Sequence, residues 1–378
     1  MSAHALLSAS SSHRWLNCPP SARLCEGKPD TAGEAAAEGT DAHSLCEYKL
    51  KKALGFADIE DPTEDLTYYD NEMESCTEGY VAFVLELLER AKQSCSDPVV
   101  LIEQRLDFSD YVENGFGTGD LVIIADGTLY IVDFKYGKGV LVDAEDNPQM
   151  KLYALGALAL ADGIYDIDTV CMSIYQPRRD NVSSCTITKT ELSEWAEKVL
   201  RPTAELAYKG EGEFRCGEWC GFCKAKATCR ARAEKNLELA KYEFREPGEL
   251  EDDEIEKILA QADELVSWAN DIKAYALREA LSGKVWSKFK LVSGTSRRKY
   301  ADENLVAAAV QKAGYDPYER SVLGISDMTK MLGKKKFDEL LGELIIKPAG
   351  KPVLVSREDK RPELNSTENA AMDFAEED

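Results

Sequence analysis

Asp120, Asp133 and Lys135 are the residues of this 378-residue chain whose types and spacing can act together on a substrate. Asp120 opens the apolar run GDLVIIAD, and Asp133 and Lys135 close the run TLYIVDFK. The Asp126-Gly127 pair between the runs is a strong turn signal, so they predict a hairpin. Side chains alternate along a strand, which puts Asp133 and Lys135 on one face. Asp120 meets Asp133 across the hairpin, depending on register. Two carboxylates beside a lysine at strand ends suit a hard divalent cation. Such an ion polarises a phosphodiester and lowers the pKa of an attacking water, while Lys135 positions that water and offsets charge growing on phosphorus. D-x-K alone is a short signal, and a surface Asp–Lys pair on a strand is the competing reading. Gln149 and Tyr153, four apart, share a face of the next predicted helix. His43, in Gly39-Thr-Asp-Ala-His43, offers a nitrogen ligand from an earlier helix. Glu103, in LIEQRLDF, is expected to be a strand residue facing the site rather than a ligand.

Eleven cysteines form the second chemical set. An odd number, behind a start (MSAHALLSASSSHRWLNC) with neither a basic segment nor an apolar stretch, argues against a disulfide framework. Cys46, Cys76 and Cys171 read as ordinary buried thiols. Cys216, Cys220, Cys223 and Cys229 are too crowded for that, and can bind Zn²⁺ tetrahedrally.

An α/β frame has to hold these groups. Helices are expected at the start of the chain, one opened by Pro19-Pro20 at SARLCEG and one over TAGEAAAEGTDAHSLCEYKL. Residues 51–70 read as an acidic, turn-rich loop. Val81, Val84, Leu85 and Leu88 then mark a helix from Gly79 to Ala91. PVVLIEQRLDF is a strand ahead of the hairpin. Asp146-Asn147-Pro148 starts the helix QMKLYALGALAL. TVCMSIYQP is a strand ended by Pro177, with SSCTITKT as its partner. This order gives an α/β core with a mixed central sheet flanked by helices. Further on, Ile255, Ile258, Leu259, Ala262, Leu265, Val266, Ala269 and Ile272 draw an apolar stripe along one long helix, read as packing rather than a ligand site.

Net charge is −23, which opposes a nucleic-acid substrate in bulk. The acid is concentrated in EDPTEDL, ELEDDEIE and the tail DFAEED. Arg178-Arg179, Lys224 to Arg232, Arg297-Arg298-Lys299 and Lys334-Lys335-Lys336 are basic clusters. No apolar run approaches the roughly 20 residues that cross a membrane, and neither a phosphate-binding glycine loop nor a helicase motif is found. A cytoplasmic protein without membrane contact is expected.

The set Gly39…His43, Gly119-Asp120, Asp133-Phe134-Lys135 and Gln149…Tyr153 resembles the RecB-like branch of the PD-(D/E)XK nucleases, over residues 8–232. The resemblance implies a PD-(D/E)XK nuclease core. Mg²⁺ or Mn²⁺ would be bound by His43, Asp120, Asp133 and the Phe134 backbone carbonyl. Lys135 would be catalytic, and Gln149 and Tyr153 would support the site or contact DNA. The second acid is Asp133 where Glu is commoner in that superfamily. Cys18, in Asn17-Cys18-Pro19, together with Cys220-x2-Cys223-x5-Cys229, resembles the 4Fe–4S clamp of AddB and the CRISPR-adaptation nucleases. A cluster there would tie the two ends of the core together, in place of Zn²⁺ at Cys216, Cys220, Cys223 and Cys229.

The overall arrangement, including the helical C-terminal part with SRRKYADENLV and KPVLVSREDKRPEL, is similar to a phage and prophage protein family, which implies a role in phage DNA recombination or processing. The expected activity is a metal-dependent DNA exonuclease; a DNA endonuclease of the same fold and a non-catalytic DNA-binding scaffold are the alternatives. Expected partners are DNA, contacted by Arg178, Arg179, Arg297, Arg298 and Lys299, and a phage single-strand annealing or single-strand-binding protein in the cytoplasm of a bacterial host. The expected domains are a nuclease domain over 1–235, a long-helix connector over 236–283, a small mostly helical domain over 284–365 and a disordered acidic tail over 366–378.

Overall fold

A computed structural model of the chain describes residues 5–29, 33–57, 59–238, 250–292, 303–312, 318 and 322–345. Arg297, Arg298, Lys299, parts of 236–283 and 284–365, and the tail 366–378 lie outside the described residues. Among the described residues, four α-helices precede the sheet: α1 (Ser12–Asn17), α2 (Ser21–Leu24), α3 (Glu34–Ala53) and α4 (Asn71–Ala91). α4 starts earlier than its apolar stripe, because Asp70 caps it by accepting from Met73 N at 2.8 Å.

The apolar runs fold as five strands that lie side by side in chain order: β1 (Val99–Asp107), β2 (Phe116–Ala125), β3 (Gly127–Phe134), β4 (Ile167–Gln176) and β5 (Asn181–Thr188). β1–β2, β2–β3 and β4–β5 are antiparallel, and β3–β4 is parallel. Gly127, at φ +79°, makes the tight hairpin turn. The parallel step needs a crossover, and α5 (Pro148–Ala161) supplies it. Asn147 accepts from Gln149 N and Met150 N at its start, with Pro148 in the first turn.

Helices cover both sheet faces, which is why β2 reads as a continuous apolar run instead of alternating. On one face Val122, Ile131, Met172 and Ile174 pack with α5 residues such as Met150 and Leu152. On the other, Leu121, Ile123, Val132 and Phe134 pack with Leu45 and Leu50 of α3 and with Tyr80 and Val84 of α4. Gly156 lets α5 lie directly on β1, since a Cβ there would fall 2.8 Å from Leu106 Cβ and 3.1 Å from Asp107 N.

Contacts divide the chain into two units. The first comprises residues 1–250 with 261–279. It also holds α6 (Lys189–Trp195) and α7 (Arg201–Lys209), joined through a wide π-type turn, then α8 (Arg230–Glu238) and much of α9 (Asp252–Leu281). Arg232 on α8, buried, pairs with Glu264 and Asp271 on α9 at 2.6 Å each. The second unit comprises residues 251–260 and 280–378, with α10 (Glu303–Lys312), α11 (Ile325–Leu332) and α12 (Lys334–Leu341). Among the described residues, no helix is long and apolar enough to cross a membrane.

Candidate functional site

The sheet register brings three carboxylates together. β1 pairs Ile102 with Leu121, and β2 pairs Leu121 with Val132. One step along, Glu103, Asp120 and Asp133 stand on three adjacent strands. Glu103 leaves the regular ladder there, with φ at +48°, and pairing resumes at Gln104–Gly119. That left-handed backbone is uncommon outside glycine and costs of order 1–3 kcal/mol.

α3 brings His43 to the same place. Its Nδ1 lies 3.5 Å from Asp120 Oδ1 and 3.9 Å from Glu103 Oε1, and its ring meets Phe134 edge-on at 5.4 Å. Among the described residues, His43, Glu103 and Asp120 are the one group of His, Cys, Asp or Glu whose ligand atoms all lie within 4.8 Å of one another. Asp120 Oδ2 accepts from Phe134 N at 2.7 Å, leaving Oδ1 toward His43. Burial pushes Asp120 up to about 6; His43 pulls it down and Asp133 pushes it up. Burial, then the neighbouring Asp120, pushes Glu103 up to about 8. Carboxyls that resist ionisation in a shared, half-dry site, beside an imidazole, have the donor chemistry of a divalent-cation site.

Asp133, Lys135, Gln149 and Tyr153 form a connected network beside that trio. Asp133 Oδ1 accepts from Gln149 Nε2 at 3.0 Å and Lys135 Nζ at 3.2 Å. Its buried Oδ2 lies 2.9 Å from Lys135 Nζ but accepts no well-directed hydrogen bond. Lys135 Nζ also donates to Gln149 Oε1 at 3.3 Å, and Gln149 Nε2 to the Tyr153 hydroxyl at 3.1 Å. Burial works against a charged Lys135, but Asp133 and Asp120 outweigh it and raise the pKa, so the ammonium persists. Burial, reinforced by Asp133, raises Tyr153 and keeps it a neutral phenol. Gly117 makes room for the Tyr153 ring: a Cβ there would sit 2.8 Å from Tyr153 Cε1. The loop between Lys135 and Gln149 is pinned by buried Gln176. Its Nε2 donates to Gly137 O at 3.1 Å and Val140 O at 2.7 Å, and its Oε1 accepts from Val142 N at 3.2 Å.

His43, Asp120, Asp133, Lys135, Gln149 and Tyr153 therefore come together as the sequence pattern expects. Phe134 presents its amide to Asp120 and its ring to the core. Glu103, expected only to face the site, is one of the three clustered ligand groups; an acid inside the apolar run VVLIEQRL was the available signal. Arg178, expected to contact DNA, is instead enclosed by the protein. Its side chain is 8% exposed, pairs with Glu38 at 2.9 Å and Glu72 at 3.1 Å, and lies over Tyr136 at 4.4 Å. With its charge satisfied internally, it is not a free phosphate contact. Arg179 is exposed and donates to Lys138 O at 3.2 Å.

Cys18, Cys216, Cys220, Cys223 and Cys229 line one small pocket. Among the described residues, no three thiols lie within 4.8 Å of one another, whereas tetrahedral zinc with bonds near 2.3 Å holds its sulfurs about 3.8 Å apart. Cys216 is pushed up to about 11 by burial and by Cys220 and Cys229. Cys25, which the sequence pattern did not single out, has its Sγ 3.5 Å from Cys223 Sγ.

Residues 4–362 match the family model described as "Protein of unknown function (DUF2800)". A solved structure titled "Crystal structure of SSO0001" is 14% identical, with 50% of this chain and 95% of that chain covered, at a TM-score of 0.24.

Proposed function

The chain belongs to that family, and we propose that it is a metal-dependent deoxyribonuclease with a RecB-like PD-(D/E)XK core. The observation that carries this reading is the convergence of His43, Glu103 and Asp120 beside the Asp133–Lys135–Gln149 network, with Glu103, Asp120 and Asp133 side by side on three adjacent strands. His43, Glu103 and Asp120 would hold Mg²⁺ or Mn²⁺, with Asp133 beside them. When bound, that ion supplies polarisation of the scissile phosphodiester and a lower pKa for the attacking water.

The chain's own groups do the rest. Lys135 keeps its proton and presents a fixed positive charge to the phosphoryl oxygens as negative charge grows there. Asp133 and Gln149 hold Lys135 in place from two sides, and Tyr153 holds Gln149, so the network has little freedom to reorganise during the reaction. Asp133 Oδ2, buried and with spare acceptor capacity, would add a carboxylate oxygen to the groups that hold the ion.

The finer reading follows the sequence resemblance. Cys18, Cys220, Cys223 and Cys229 hold a 4Fe–4S cluster, supported by the pocket that they share. The enzyme is a DNA exonuclease in phage DNA recombination or processing, working with a single-strand annealing or single-strand-binding protein. It contacts phosphates through Arg179 and through Arg297, Arg298 and Lys299. Linear and covalently closed circular duplexes, each with Mn²⁺ or Mg²⁺, test the assignment on anaerobically purified protein. Digestion of linear DNA alone supports the exonuclease. Nicking of the circle reassigns it as an endonuclease. DNA binding without cleavage under either metal rejects the nuclease and leaves a scaffold protein.

A further inference from the structure

Cys25 and Cys223 lie 198 positions apart in the chain and 3.5 Å apart sulfur to sulfur. Both are buried, and they pack with Ala225 and Leu24 in a small apolar cluster of their own. Short turns hold each sulfur: Cys25 N donates to Ser21 O at 3.1 Å, and Cys223 N to Cys220 O at 3.1 Å. Cys223 also lines the pocket that it shares with Cys18, Cys216, Cys220 and Cys229, whereas Cys25 does not. Cys25 is therefore surplus to either metal-binding set, yet it is aimed at a member of both. A disulfide needs the sulfurs about 2.05 Å apart, so bond formation requires a sulfur displacement of about 1.5 Å.

We propose that Cys25 and Cys223 are an oxidisable dithiol that closes to a disulfide, and that closure withdraws Cys223 from the metal-binding set. The second half rests on the cluster reading above; the disulfide does not. Hydrogen peroxide is the class of oxidant small enough for so buried a pair. The Cys223 sulfur, facing the pocket, attacks one peroxide oxygen; the O–O bond breaks, a sulfenic acid forms, and the departing hydroxide takes the thiol proton and leaves as water. The Cys25 sulfur then attacks the Cys223 sulfur. The S–O bond breaks, the S–S bond forms, and a second water leaves with the Cys25 proton. Two thiols and one peroxide become one disulfide and two waters. Iron bound at Cys223 blocks the first step, so the pair responds when the cluster has been lost, and the disulfide then prevents its reassembly.

The test uses the full chain, stripped of metal by a chelator, reduced, and treated with stoichiometric peroxide without air. Peptide mapping under non-reducing conditions should find Cys25 joined to Cys223 as the main disulfide. Cys25→Ser should lose that product and Cys18→Ser should keep it, with circular dichroism checking each fold. Uptake of ferrous iron and sulfide should be lost in the oxidised parent and restored by dithiothreitol. Cys223 joined mainly to Cys18, Cys216, Cys220 or Cys229, or left unpaired in the folded parent, overturns the proposal. A reduced parent that takes up no iron defeats the cluster reading instead, and the mapped disulfide still decides the dithiol.

Discussion

Replacing Glu103 with Gln removes a carboxyl that the fold holds well above its ordinary ionisation. The unfolded chain ionises Glu103 near 4.5 and the fold near 8, mainly through burial and secondarily through Asp120. A raised carboxyl stabilises nothing once ionised: the metal-free protein loses stability as pH rises from about 4.5 to about 8. The full difference corresponds to about 5 kcal/mol. The side chain is 31% exposed, and solvent screening reduces the cost to about 1–3 kcal/mol. At pH 8, metal-free Glu103→Gln should therefore melt about 3–10 °C above the parent, and at pH 4.5 the two should nearly coincide. Bound Mn²⁺ reverses the order, because it favours the ionised acid; the variant should bind Mn²⁺ at least about tenfold more weakly. Calorimetric melts across pH, with and without Mn²⁺, measure both effects. A flat melting profile for the metal-free parent between pH 5 and 8, or equal Mn²⁺ affinity in the two proteins, would refute the reasoning.

Asp133→Asn and Lys135→Ala should keep the parent's circular dichroism while cleavage falls by about 100-fold or more, since each acts on the transition state. Arg178→Ala should cost about 1–3 kcal/mol of stability in urea unfolding, by stranding Glu38 and Glu72. It should leave the salt dependence of DNA binding unchanged, whereas Arg179→Glu should reduce that slope by about one. Iron analysis should find Cys18→Ala as depleted as Cys223→Ala and Cys216→Ala still loaded; the opposite result for Cys18 and Cys216 would favour zinc. Gly156→Ala should cost about 1–3 kcal/mol in the same unfolding assay, because the backbone of β1 has to move away from α5.

The hairpin carrying Asp120 and Asp133 is legible because an Asp-Gly turn between two apolar runs leaves few registers, and α5 because Asn147-Pro148 caps it. Both signals are local. Glu103 is harder to read, since its role depends on a ladder irregularity that drops it between Ile102–Leu121 and Gln104–Gly119. No spacing rule encodes that step. Arg178 looks like a phosphate contact in a basic pair, and only the approach of Glu38 and Glu72 from distant helices shows where its charge is used. The segment 188–209 opens with a capping box, Thr188 with Glu191, that marks a helix start the sequence analysis does not name. Cys25 escapes for the opposite reason: its partner lies almost the length of the core away in sequence.

The most direct measurement is release of label from end-labelled linear duplex DNA by anaerobically purified protein, in Mn²⁺ or Mg²⁺ and in excess chelator, for the parent and for Asp120→Asn. Release should require the metal and fall by about 100-fold or more in a folded Asp120→Asn protein. Undiminished release by that variant, or a parent that binds Mn²⁺ and DNA but leaves the label in place under both metals, would contradict the nuclease assignment.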